Sequence, residues 1–207
     1  MLHRKVLEPR ALDLLKELMG LSSLESFLLV GGTALALRYG HRISVDLDLF
    51  GKVNNLDYDW INAEVEKLGE VVLATNSKVM LGYYIHGIKV NIVKYPYTFI
   101  RPIHKIEGIR FASNEDIAAM KFASITGRGK KKDFYDLFFL LKEFTFKKMF
   151  DFYDQKYPDG NRFLVMRSIT YFEDAEADQD PFVFEDLSWS EVKKTIQAKY
   201  YQYLKTT

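Results

Sequence analysis

The sequence predicts an α/β (α+β) protein in two parts, a small mixed sheet flanked by helices and then a helical C-terminal domain. Three observations predict it. Between Phe27 and Phe50 an apolar run, a glycine pair, a helical stretch and a second apolar run follow one another. From Val71 to Phe111 short period-two runs alternate with turn residues. From Ser113 onward apolar residues recur at helical spacing, and no Pro/Gly/Ser-rich linker precedes them. The expected domains are residues 1–111 and 112–207, packed on each other, with a cleft between them as the default place for a site.

The elements follow in order. Ala11, Leu12, Leu14, Leu15 and Leu18 form the apolar stripe of a first helix that Gly20 ends. Phe27–Val30 reads as a strand closed by Gly31-Gly32, Thr33–Tyr39 as a helix, and Val45–Phe50 as a strand. Side chains on a strand repeat every second residue. Asp46 and Asp48 are therefore expected on one face, with Val45, Leu47 and Leu49 toward the core. Two like charges side by side are tolerated most easily with a cation between them. Asp57 or Asp59 caps a helix through Leu68, and Gly69 stops it. Strands are expected at 71–74, 79–86, 88–93 and 106–111, with Gly87 as a turn and Tyr95-Pro96-Tyr97 as a break. Helices follow from Ser113 to Gly127, 133–143, 146–155, 162–172 and 190–204, the last with Ser190 as a candidate cap. Residues 127–132 form a basic glycine turn. The acidic run from Glu173 to Asp186 reads as a solvated loop.

Composition narrows the function classes. The 207 residues, 48% of them hydrophobic, suffice for a sizeable core. A net charge of +1 gives no ground for nucleic-acid or membrane binding by itself. The absence of Cys excludes disulfides and thiolate metal sites. The N-terminal segment is amphipathic and charged, without the apolar core of a signal peptide, and no stretch reaches the length of a membrane span. A cytoplasmic protein with no membrane partner is expected.

The chemistry-bearing residues sit in two blocks. Gly31-Gly32 lets backbone approach a bulky anion with no Cβ in the way, and the helix that follows presents N–H groups and a positive dipole end suited to phosphate. Asp46 and Asp48 are hard carboxylates of the kind that hold Mg²⁺ bridged to nucleotide phosphates. Two such ions would make a two-metal site for nucleotidyl transfer. The second block is Lys121, then Arg128-Gly129-Lys130-Lys131-Lys132-Asp133-Phe134-Tyr135-Asp136-Leu137.

Gly31-Gly32 with Asp46-Leu47-Asp48-Leu49 resembles the signature of the DNA polymerase β-type nucleotidyltransferase superfamily. The fuller form GGTALALRYGHRISVDLDLF, with the second block in the expected order, resembles the AbiEii/AbiGii-type abortive-infection toxins of type IV toxin–antitoxin systems. The likeness covers residues 25–145 well. It implies a nucleotidyltransferase fold and transfer of a nucleotide from a nucleoside triphosphate to an acceptor hydroxyl, with RNA, and tRNA first, as acceptor, and a cognate antitoxin as partner. It implies that Asp46 and Asp48 hold Mg²⁺ and that Gly31, Gly32 and Thr33 meet the triphosphate. Lys121 would neutralise phosphate charge, and Arg42, Ser44 and Arg128 would be further anion contacts. Asp133 or Asp136 would hold Lys121 or the basic turn, or act in catalysis. Superfamily members usually supply a third carboxylate from a later strand. Asn91 occupies that place and could ligate only through its carbonyl oxygen. The alternative is a catalytically weakened nucleotide-binding protein of the same fold.

Each residue also has an ordinary reading. Asp46 and Asp48 fit a solvated strand end, Gly31-Gly32 a plain turn and Lys121 a surface lysine. Asp133 fits a helix N-cap, Asp136 a salt bridge with the basic run, Asn91 a plain strand residue, and Lys130–Lys132 a solvated charge run. His41, His86 and His104 lack metal-ligand spacing and read as structural.

Overall fold

Short apolar runs become strands where turn residues bound them. In the computed structural model, which describes residues 1–206, these are β1 (Phe27–Leu29), β2 (Leu47–Gly51), β3 (Val71–Asn76), β4 (Met80–Ile85), β5 (Ile88–Lys94), β6 (His104–Ile106) and β7 (Ile109–Phe111). They form one mixed seven-stranded sheet in the order β3-β4-β5-β2-β1-β7-β6. β2 runs parallel to β5, and β1 runs parallel to β7 and antiparallel to β2. The remaining neighbours are hairpins. Two of the three turns, β4-β5 and β6-β7, place two consecutive residues at positive φ, His86-Gly87 at 50° and 76° and Glu107-Gly108 at 50° and 85°. That backbone twist suits a tight connection between antiparallel strands. The single strand expected over 106–111 is instead the end of β6, the Glu107-Gly108 turn and β7.

The sheet belongs to the first of two compact units, made of Met1–Gly40, Ser44–Thr98 and Pro102–Ala112. Its helices are α1 (Pro9–Gly20), α2 (Gly31–Tyr39) and α3 (Tyr58–Val65). The α1 stripe is buried as its periodicity predicts. α2 starts at Gly31, two residues earlier than expected, so the glycine pair is the first turn of the helix rather than a turn before it. The Asp57 carboxylate accepts the Trp60 N–H and caps α3, which tightens into a 3-10 turn at Glu66–Leu68. Leu47 and Leu49 point into the core. Val45 does not. It lies before the strand begins and is 65% exposed.

The second unit holds His41–Ile43, Phe99–Arg101 and the chain from Ser113. It contains α4 (Asn114–Gly127), α5 (Lys131–Glu143), α6 (Phe146–Lys156), α7 (Arg162–Ser168), α8 (Glu173–Glu176) and α9 (Trp189–Leu204). Phe122, Phe134, Leu137, Leu140 and Phe150 are buried in its core. Side-chain oxygens of Ser113, Thr145, Asn161 and Ser188 cap four of these helices. Ser188, not Ser190, begins α9, through a capping box with Glu191. Lys130 occupies the N-cap place of α5, so Asp133 lies inside the first turn and is not the cap. α7 ends at Ser168, earlier than expected.

The acidic run is not a free loop. It holds α8, then a segment that pairs with residues 41–43. Ile43 N–H donates to the Phe182 carbonyl, Phe184 N–H donates to the His41 carbonyl, and Arg42 bridges Val183. Its carboxylates meet cations of the same unit: Asp178 with Lys130 at 3.0 Å, Asp180 with Lys131 at 3.1 Å and Glu185 with Lys142 at 2.9 Å. Residues 99–101 are fixed differently. Buried Asp116 accepts the N–H groups of Ile100 and Arg101 and the buried Lys156 ammonium, at 2.8, 3.2 and 2.7 Å.

Candidate functional site

In the first unit the strand register brings Asp48 beside Asn91. β2 and β5 run in parallel with Asp48 opposite Asn91. Asn91 Nδ2 donates to Asp48 Oδ1 at 2.8 Å. The other carboxylate oxygen faces the start of α2. Gly31 has φ +70°, and a Cβ there would lie 3.3 Å from Asp48 Oδ2. Only glycine enters this corner without backbone strain and without crowding the carboxylate. No side chain caps α2. The first N–H groups of a helix have no partner within the helix, so they point at whatever occupies the corner.

Thr33 and Ser44 are also here, but buried. The Thr33 hydroxyl shares a 2.8 Å hydrogen bond with Ser44 Oγ and donates to the Asp46 carbonyl. Both hydroxyls thus brace the segment that leads into β2. Asp46, just before the strand, and Asp48 within it are half-buried.

The second unit gathers the other predicted residues around two buried carboxylates. Asp136 Oδ1 accepts from His41 Nε2 at 2.8 Å and Arg42 Nε at 2.7 Å. Its Oδ2 accepts from Arg42 Nη2 at 2.9 Å and Lys121 Nζ at 2.8 Å. Asp133 accepts from Lys121 Nζ at 2.9 Å and from Arg128 Nε and Nη2, each at 3.0 Å. The Asp133 and Asp136 side chains are fully buried and Lys121 nearly so, while Arg128 is 54% exposed. Helical spacing explains the meeting. Asp133 and Asp136 lie three residues apart on one face of α5, and Lys121 comes from the interior of α4. Lys121 is therefore no surface lysine. Arg42, expected as an anion contact, is buried with its guanidinium forked onto Asp136.

Burial opposes every charge in this cluster, and the partners decide the outcome. Burial works to raise the Asp136 carboxyl, but Arg42, Lys121 and the His41 hydrogen bond outweigh it and hold the group well below the ordinary carboxylate value. Burial opposes ionisation of Asp133 too, and Lys121 with Arg128 again wins, leaving that carboxyl lowered. Burial disfavours the Lys121 ammonium, but the two carboxylates raise it above the ordinary lysine value. For His41 burial prevails over Asp136, and the imidazole is pushed down toward its neutral form. Asp136 is ionised and accepts only, so His41 donates from Nε2. Sequence reasoning missed His41. A lone histidine carries no spacing signal, and its neighbour Arg42 was the available clue.

A family model for the nucleotidyl transferase AbiEii toxin of type IV toxin–antitoxin systems matches residues 13–202. The chain belongs to the AbiEii family. A protein of Aquifex aeolicus (strain VF5), the uncharacterized protein aq_aa25, is 35% identical over 93% of this chain and 95% of its own. Two Helicobacter pylori crystal structures share the fold at 21% identity each. One, described as a "putative nucleotidyltransferase", has a TM-score of 0.55 and covers 99% of this chain and 96% of its own. The other, JHP933, has a TM-score of 0.54 and covers 97% and 96%. AbiEii membership makes this a nucleotidyltransferase-like chain of a toxin family. No described helix is long and apolar enough to cross a membrane.

The donors of the first unit fit a hard divalent cation. Among the described residues no group of three or more His, Asp or Glu could hold a metal. Mg²⁺ needs less, because it keeps several waters and is commonly held by one or two carboxylates together with substrate phosphates. Asp46 and Asp48 supply two. Asn91 turns its NH₂ toward Asp48 and supports that carboxylate without adding charge.

Proposed function

We propose that this protein is a Mg²⁺-dependent nucleotidyltransferase that moves a nucleotide from a nucleoside triphosphate to a hydroxyl of RNA, with tRNA the first acceptor to test. One observation carries the proposal: the unbraced N-terminus of α2 and the Asp48 carboxylate converge at Gly31. A phosphate at that helix end would be repelled by Asp48 unless a cation stood between them. Asp46 and Asp48 would hold that cation, and Mg²⁺ there supplies charge neutralisation and orientation of the phosphates. Gly31 and Gly32 approach the phosphates by backbone. Lys121, which donates to Asp133 and Asp136 in the second unit, would neutralise phosphate charge, the role its family resemblance implies. Asp133 and Asp136 accept from cationic partners that hold both below the ordinary carboxylate value, which suits them to support Lys121 and not to take a proton. In the reaction the acceptor oxygen bonds to the α-phosphorus, the bond to the bridging oxygen breaks, pyrophosphate leaves, and the hydroxyl proton passes to solvent. The protein would act in the cytoplasm as a toxin restrained by a cognate antitoxin.

Asn91 favours a second reading. It donates to Asp48 from the place where a third carboxylate would add charge and basicity, and a chain without that carboxylate could bind nucleotide with little turnover. Labelled nucleoside triphosphates, Mg²⁺ and total tRNA separate the two. An active enzyme labels RNA, and Asp46→Ala/Asp48→Ala abolishes the label. A silent wild type with an active Asn91→Asp variant identifies the weakened form. No thermal shift with Mg²⁺ and nucleotide sinks both.

A further inference from the structure

We infer that the acidic segment 178–187 is a built-in competitor of RNA: it covers a basic and aromatic stripe of α5, and RNA phosphates take its place. This rests on the RNA acceptor proposed above. The stripe follows from helical spacing. Lys131, Tyr135, Phe138 and Lys142 recur at steps of four, three and four residues, so they share one face of α5. The spacing from Lys131 to Lys142 makes three turns and sets the two lysines about 16 Å apart along the axis. Lys130 adds a third cation at the N-cap. Cations interleaved with rings suit a nucleic-acid strand, the cations for its phosphates and the rings for its bases.

The segment runs along this stripe. Near the start of α5 one Asp178 oxygen accepts from Lys130 Nζ at 3.0 Å and the other from the Lys131 N–H at 2.9 Å. Asp180 pairs with Lys131 at 3.1 Å and Glu185 with Lys142 at 2.9 Å. The chain then turns back, and the Leu187 carbonyl accepts from the Tyr135 hydroxyl at 3.4 Å. With the segment in place Lys131 is only 7% exposed. What holds the segment is weak. No residue between Ala175 and Val192 is buried. The side chains of Lys130, Lys142, Asp180 and Glu185 are 51%, 49%, 66% and 55% exposed, and exposed ion pairs contribute little and fade with salt. A segment with few buried contacts opens locally at small cost. A polyanion can therefore replace its carboxylates while the helices stay folded.

Two triple variants separate release of the lysines from a change in overall charge. Asp178→Asn/Asp180→Asn/Glu185→Gln unpairs them. Glu173→Gln/Asp174→Asn/Asp186→Asn removes the same charge from the same acidic run, at carboxylates that form no ion pair among the described residues. Each would be titrated by fluorescence anisotropy with a labelled single-stranded RNA oligonucleotide across a range of salt, with far-UV circular dichroism to show that it is folded. The first is expected to bind on the order of tenfold tighter than wild type at low salt. Its salt slope should be steeper by roughly 2, because three lysines then release salt ions to the RNA instead of carboxylates. The second should stay within about threefold of wild type. Adding Lys130→Gln/Lys131→Gln/Lys142→Gln to the first should erase its gain. In the wild type, saturating RNA is expected to speed hydrogen exchange at the Phe184 amide, whose bond to the His41 carbonyl breaks when the segment lifts. Equal gains in the two triples, or RNA bound with Phe184 exchange unchanged, overturns the inference and leaves the RNA acceptor standing. RNA bound by none of these proteins removes the acceptor, and the inference with it. If the first triple does not fold, the wild-type exchange measurement still decides.

Discussion

Asp133 and Asp136 look equivalent in sequence but differ in what they hold. Asp136 supports Arg42 and His41, both buried, while Asp133 is tied to the half-exposed Arg128. Removing one partner of a buried pair leaves an uncompensated charge and costs about 3–5 kcal/mol. Asp136→Ala is expected to fall in that range by urea denaturation. Asp133→Ala should cost less, because Arg128 can return to water and Lys121 keeps Asp136. Equal costs would mean that Arg42 finds another acceptor. Gly31 is the second residue-scale test. Gly31→Ala places a Cβ at φ +70° beside Asp48. The left-handed backbone costs about 1–2 kcal/mol, and the crowded carboxylate should reduce the thermal shift given by Mg²⁺ and nucleotide. An unchanged shift would move the phosphate site away from the start of α2.

Helix ends carry much of what is testable at the scale of elements. The Ser188–Glu191 capping box satisfies orphan N–H groups at the start of α9. Ser188→Ala should cost about 1 kcal/mol, while Ser190→Ala, one residue into the helix, should change stability by only a few tenths. The comparison checks a boundary that sequence alone misplaced by two residues, since both serines precede an apolar run. Asp116 serves two elements at once. It accepts from the 99–101 backbone and pairs with Lys156 of α6. In Asp116→Ala, hydrogen exchange at the Ile100 and Arg101 amides is expected to accelerate markedly, more than at the α4 interior. Unchanged protection would show that the segment is held by other means.

Stability against pH integrates these sites over the whole molecule. Asp133 and Asp136 have lowered pKa values, so they stabilise the fold above the unfolded value of 3.8 and lose that contribution as pH falls through their folded values. His41 is also lowered, from 6.5. The unfolded chain then binds the extra proton, and stability begins to decline as pH drops below about 6.5. Lys121 is raised above 10.5, so its contribution is intact below that value and is lost as pH climbs through the folded pKa. Chemical denaturation across pH should give a plateau between about 6.5 and 10.5, with an early acid limb that His41→Gln flattens. An acid limb that starts only near pH 4 in the wild type would remove His41 from the linkage.

The sequence by itself determined the local periodicities and the two blocks of chemistry. Apolar spacing fixes strand against helix because side-chain burial follows the local backbone repeat, and the glycine pair, the Asp-x-Asp and the Lys121 to Asp136 block were legible as patterns along the chain. Tertiary structure decided the partners. Asn91 stands beside Asp48 only through the parallel register of β2 and β5. Arg42 and His41, sequence neighbours of the acidic pair, belong to the helical unit because Asp136 and the 182–184 segment hold them there. The acidic run looked solvated because its compensating lysines lie far away in sequence. Ion pairs and strand registers are made between distant segments by burial and charge neutralisation, and no local repeat encodes them.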